Sequence, residues 1–175
     1  MKKILLCSSV ILITFLFSVT IFSQEKDVKS KNLIYAVFPS EFSNLVSVQN
    51  EKLPAILRDA FVNKLKLDGD KLIKDEIIDS VLGNKNAAGL SQEEIVKISK
   101  SLNADVAIHF TFMVRSNRHN IYSDFFDIFI YAIDVYTGKL IWFDTKSGFF
   151  NLLNSDDIAM NIAWDFIHRL EFLGY

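Results

Sequence analysis

The sequence predicts an α/β domain over residues 32–175, a mixed β-sheet of about five strands with flanking helices. Three observations predict it. Apolar residues recur at three- and four-residue spacing in four separate windows, as in helices with one buried stripe. Short runs rich in β-branched and aromatic residues lie between the first of these windows, and three such runs then follow one another between residues 105 and 146. The resulting order is strand, helix, strand, helix, helix, three strands, helix, which implies one mixed sheet with helices packed on it.

The first strand is Leu33 to Phe38 (LIYAVF), an apolar run too short for a helix and closed by Pro39. Leu53, Ile56, Leu57, Ala60, Phe61 and Leu65 then share a helical face, with Pro54 tolerated in the first turn and Gly69 suited to a left-handed cap. Lys71 to Lys74 reads as a short strand. Asp75 can cap a helix that places Ile78, Val81 and Leu82 on one face and stops at Gly83. After a polar loop from Gly83 to Gly89, Ser91 and Glu94 form a capping-box pattern. The helix that follows, Gln92 to about Leu102, buries Ile95, Ile98 and Leu102.

Strands are expected at Asp105 to Val114, Phe125 to Val135 and Lys139 to about Lys146. The last two are joined by Tyr136, Thr137 and Gly138. Thr137 resists positive φ, so a three-residue turn with Gly138 left-handed is expected. Asn154 to Asp157 supply a cap and an acidic first turn for a helix that lines up Ile158, Ile162, Phe166 and Leu170.

Ahead of this domain, Lys2 and Lys3 precede 19 uncharged residues from Ile4 to Phe22, the order of a secretory signal. Ser23 is the best cleavage point, so residues 1–23 are either a removed signal peptide or, given the length of the run, a retained anchor. Either fate puts the protein outside the cytoplasm, in the periplasm or cell envelope. Residues 24–31 form a polar tether. Cys7, the single cysteine, lies too early in the apolar run for lipid attachment, and a cleaved chain would carry neither a disulfide nor a thiol nucleophile. Cleavage would leave 17 basic against 21 acidic side chains, moving the formal charge from −2 to −4. Such a chain has no basic field for nucleic acid.

Residues 32 to 172 resemble the TolB N-terminal-like superfamily of bacterial envelope proteins, which takes in CsgG-type periplasmic domains and LpoB-like proteins. The resemblance rests on the first strand LIYAVFPSEF, the helix with Leu53, Leu57, Ala60, Phe61 and Leu65, and the strand-plus-helix KLIKDEIIDSVLG. It rests most on the lead into a strand at Leu102-Asn103-Ala104-Asp105-Val106 and on the hairpin Asp134-Val135-Tyr136-Thr137-Gly138-Lys139. It implies an α/β domain used in envelope assembly or in activating a partner, without chemistry of its own.

The titratable residues point the same way. His109, His119 and His168 fall in a strand, a loop and a helix, without metal-ligand spacing. His109 reads as a satisfied, partly buried strand histidine, and His168 as a partner of its helix end. His119 with Asp124 and Asp127 could gather around a cation, and a solvated loop histidine explains them more simply. The acid pairs Asp75-Glu76, Glu93-Glu94 and Asp156-Asp157 each fall in a helix first turn, where they cap. Arg115, Arg118 and His119 make a small basic cluster in a strand connection. No catalytic, cofactor-binding or metal-binding residue is assigned, and no cofactor is expected.

The strongest functional feature is apolar. In Phe125 to Val135, Phe126, Ile128, Ile130 and Ala132 alternate with Phe129, Tyr131, Ile133 and Val135; in the next strand, Leu140 and Trp142 oppose Ile141 and Phe143. Such strands need cover on both faces. Helices on both faces are the ordinary solution, and an open face would be a docking surface. The candidate interaction surface is Phe129, Tyr131, Ile133, Ile141 and Phe143. The sequence therefore suggests a non-catalytic accessory protein that binds an envelope protein, or alternatively a lipid- or amphiphile-binding protein at a membrane surface. It sets no oligomeric state.

Overall fold

The computed structural model describes residues 32–39, 52–115, 124–150 and 155–175, and of residues 115, 124, 149 and 150 the backbone alone. The apolar amino-terminal run, Cys7, the tether and His119 with its neighbours lie outside the described residues.

Strands β1 (Ile34–Val37), β2 (Lys71–Leu72), β3 (Val106–Arg115), β4 (Asp124–Asp134) and β5 (Leu140–Phe150) form one sheet in the order β2-β1-β3-β4-β5. β1 is parallel to both β2 and β3, whereas β3, β4 and β5 form an antiparallel meander. The helices are α1 (Leu53–Leu67), α2 (Asp75–Leu82), α3 (Gln92–Ser101) and α4 (Ser155–Phe172), with a 3-10 turn at Ala87–Gly89. The sheet is thus mixed and five-stranded, as the element order implies.

Local signals act where the sequence places them. Ser91 accepts from the Glu94 amide, and the Glu94 carboxylate accepts from the Ser91 amide at 3.0 Å, completing a capping box that starts α3. Gly69 ends the connection after α1 with φ +82°. Val81 departs from expectation: it is 45% exposed, because α2 presents Ile78 and Leu82, one full turn apart, to the sheet.

The two short stretches that carry the family resemblance turn out to be joints. Asn103 takes the left-handed conformation (φ +56°), which polar Asn tolerates, and this aims Ala104 into the interior. Asp105 then accepts the Ile34 amide at 2.9 Å through Oδ2 and donates its own amide to the Ile34 carbonyl at 2.7 Å. One aspartate thereby fixes the register of β1 on β3. In the second hairpin the loop is Val135 to Gly138, one residue longer than expected, since Asp134 and Lys139 are the last bonded pair. Gly138 is left-handed (φ +70°), and the Thr137 amide donates to Asp134 Oδ1 at 2.7 Å. The Tyr175 hydroxyl donates to Asp134 Oδ2 at 3.1 Å. Although burial opposes it, these bonds hold the Asp134 carboxyl below the usual carboxylate range.

Two cores lie on opposite faces of the sheet. The larger packs α1 and α4 against Val106, Ile108, Phe110 and Phe112 of β3 and Phe126, Ile128 and Ile130 of β4. The smaller packs α2, the 3-10 turn and α3 against Ala36, Phe38, Ala107, Ile133 and Val135. This second layer spans the β2–β1–β3 side. Among the described residues, no helix covers the rest of that face on β4 and β5, beyond Ile133.

Candidate functional site

The half-open face consists of cross-strand rows whose composition follows from the register. His109, Tyr131 and Phe143 are direct neighbours on β3, β4 and β5, and the next row is Thr111, Phe129 and Thr145. Ring centroids lie 6.0 Å apart for His109 and Tyr131, 5.1 Å for Tyr131 and Phe143, and 6.5 Å for the near-parallel Phe129 and Phe143. Phe38 meets His109 edge-on at 6.5 Å, so the row starts inside the smaller core and emerges into solvent. Phe143 is 43% exposed and Met113 46%, while Phe129 and Tyr131 are half-buried. Burial raises the Tyr131 hydroxyl above the ordinary tyrosine range.

Three of the five residues expected on this surface share it: Phe129, Tyr131 and Phe143. Ile133 does not, because α3 covers it and leaves it 2% exposed among Ile95, Ala107 and Val135. Ile141 faces the other way. A bulge in β5 pairs Ala132 with Trp142 and Ile133 with Leu140, so Ile141 is the extra residue, and both Ile141 and Trp142 pack on the larger core. Strict alternation therefore misassigns this end of the strand. Leu140 joins the open side at 47% exposure, and Met113 is a member that the aromatic pattern of β4 could not reveal.

A cavity of about 170 Å³ opens beside the aromatic row, lined by Leu90, Gln92, Ile95, His109, Tyr131 and Ile133 among others. His109 forms its floor, 5% exposed. Nε2 lies 2.8 Å from the Ala87 carbonyl, an acceptor only, so this nitrogen carries the proton. Burial pushes the imidazole pKa down, partly offset by the Ala87 bond. The unfolded ring takes up a proton near pH 6.5 and the buried one at lower pH, so the unfolded chain binds more protons in that interval. Stability should therefore fall as pH drops through 6.5 and level off once the buried ring itself protonates. His109→Gln keeps a donor for Ala87 and should flatten that part of the slope, read from urea midpoints between about pH 7.5 and about pH 5. An unchanged slope would assign it to another group.

The three acid pairs sit in the first turns of α2, α3 and α4. His168 is exposed and lies 3.4 Å from Glu171 one turn away. Among the described residues no three His, Cys, Asp or Glu side chains converge as metal ligands, and no helix is long and apolar enough to cross a membrane.

No protein-family model and no curated protein matches this chain. Solved structures with a similar chain course include lipoprotein GNA1162 from Neisseria meningitidis, at 13% identity and a TM-score of 0.49, covering 79% of this chain and 95% of that one. The LpoB C-terminal domain from Salmonella enterica aligns at 13% identity and a TM-score of 0.43, covering 70% and 86%. The PelC dodecamer from Paraburkholderia phytofirmans aligns at 14% identity and a TM-score of 0.45, covering 75% and 82%.

Proposed function

We propose that this chain is an exported, non-catalytic accessory protein of the cell envelope, of the TolB N-terminal-like superfamily, that binds a protein partner in envelope assembly, transport or regulation. The observation that carries this reading is the half-open aromatic face. An α/β sheet normally covers both faces with helices, and here Phe129, Tyr131, Phe143 and Met113 stand together on the side that α2 and α3 leave uncovered. Aromatic side chains beside a small cavity are the usual anchors of protein interfaces. His109 is engaged by the Ala87 carbonyl, which suits a structural role better than proton transfer. The export signal and the superfamily resemblance supply the compartment.

The test is site-specific photocrosslinking in intact cells, with a photoreactive phenylalanine at position 143 of the full chain and another at Tyr136, 90% exposed and away from the patch, as control. A discrete protein adduct should form from position 143 and not from position 136. In a chain with the probe at position 131, Phe143→Asp should lower adduct yield at least about tenfold, the size expected for loss of an anchor. Equal adducts from both positions, or none from 143, would remove the protein-binding reading. Flotation with phospholipid vesicles that depends on Phe143 would instead favour an amphiphile-binding surface.

A further inference from the structure

We propose that β5 pairs with β5 of a second copy of this chain, antiparallel and centred on Thr145, joining two five-stranded sheets into one of ten strands.

Among the described residues β5 is the terminal strand of the sheet, with β4 as its one strand neighbour, and it runs for 11 residues. Long edge strands invite pairing unless something blocks them. The outward hydrogen-bonding positions are identifiable. The Thr145 amide donates to the carboxylate of its own neighbour Asp144, at 2.8 Å. Thr145 therefore belongs to the set whose amides and carbonyls point away from β4, together with Phe143 and Ser147.

The strand's sequence is self-complementary about that residue. In an antiparallel pair centred on Thr145, Asp144 stands opposite Lys146 of the other copy, and Lys146 opposite its Asp144. Edge charges ordinarily repel a second strand, but opposite charges placed symmetrically meet their complements. Trp142 stands opposite Gly148, where a Cβ would meet no atom within 4 Å, so the bulky residue faces open space. Thr145 faces Thr145, a favourable cross-strand pair.

Within one chain, Lys146 already lies 3.1 Å from Asp144 and 2.8 Å from Asp165. Pairing exchanges the Asp144 bond to the Thr145 amide for a backbone bond and turns Asp144 toward the second Lys146. The two-fold axis is perpendicular to the sheet, so both aromatic faces end up on the same side, flanking the axis. The pairing thus goes beyond the partner-binding reading and does not depend on it.

Register-specific disulfide trapping in intact cells tests this with the full exported chain in a Cys7→Ser background. Residues facing each other across a hydrogen-bonded antiparallel pair have Cα atoms about 5.5 Å apart, within the roughly 4.4–6.8 Å that a disulfide spans. Thr145→Cys should therefore give a covalent dimer on mild oxidation. Ser147→Cys alone should not, because its two copies are offset by four residues, ~13 Å, whereas Ser147→Cys co-expressed with Phe143→Cys should. Lys146→Asp should lower the Thr145→Cys dimer yield about tenfold by setting like charges opposite at two places, and Asp144→Lys with Lys146→Asp should restore it. A folding defect in Lys146→Asp is controlled by the unsubstituted chain, whose Phe143 and Ser147 amides should gain hydrogen-exchange protection with concentration. The proposal is overturned by no Thr145→Cys dimer, by a Ser147→Cys dimer of equal yield, by charge reversal without effect, or by exchange that ignores concentration.

Discussion

Replacing Phe61 with alanine should destabilise the protein by about 4 kcal/mol, within the range measured for emptying an aromatic site in a packed core. Phe61 is fully buried on α1 and meets Phe110 of β3 and Phe166 of α4 edge-on, with centroids 4.8 and 5.5 Å away. It thus joins both helices of the larger layer to the sheet, and each edge-on pair adds about 0.5–1.5 kcal/mol beyond the area buried. Domains of this size are stable by roughly 5–15 kcal/mol, so the substitution removes a large share of the total. The urea midpoint should fall with the slope unchanged. Phe143→Ala, at a 43% exposed position, should cost less than about 1 kcal/mol. Equal losses at the two positions would contradict the assignment of one ring to the core and the other to a surface.

Arg58→Ala should cost about 2–3 kcal/mol, the second largest effect expected. The side chain is only 10% exposed, Nε donates to the Val37 carbonyl at 3.2 Å, and Nη1 and Nη2 lie 3.4 Å from Asp79 and Asp75. It therefore ties α1 to the end of β1 and to the first turns of α2, across the sheet edge. The two carboxylates are 39% and 55% exposed, so water screens them and the loss falls short of that for a sealed ion pair. Most of the cost comes from the Val37 carbonyl left without its donor and from the packed stem of the arginine. Arg58→Lys should recover less than half, since an ammonium cannot reach the Val37 carbonyl and both carboxylates as a planar guanidinium does. Equilibrium denaturation decides it, and a loss below about 0.5 kcal/mol for alanine would make the tie a surface ornament.

The parts of this fold that were legible are those set by neighbours in sequence. The Ser91–Glu94 box, the acidic first turns and the left-handed glycines at 69 and 138 each satisfy backbone groups within a few residues, so their spacing reveals them. The apolar stripes of α1 and α4 are equally visible, because Leu57, Phe61, Ile162 and Phe166 repeat at helical spacing whatever they pack against. The candidate surface was only half legible. Tyr131, Phe129 and Phe143 follow from period-two alternation, but the bulge beside Ala132 turns Ile141 inward, and α3 seals Ile133. Neither event leaves a signal in β4 or β5 alone, because one depends on how two strands slip and the other on where a distant helix lands. The Arg58 tie was invisible for the same reason: the Val37 carbonyl and the two carboxylates it meets lie on two other elements.

The uneven second layer has a consequence over evolutionary time. Along β4 and β5 the residues facing α1 and α4 are fixed by packing, whereas Phe129, Phe143 and Thr145 alternate with them yet answer to little of the core. Substitutions at the first set lower the population of folded protein; substitutions at the second leave it nearly intact. A lineage carrying this domain can therefore retune what the face recognises one residue at a time without passing through a sequence that fails to fold.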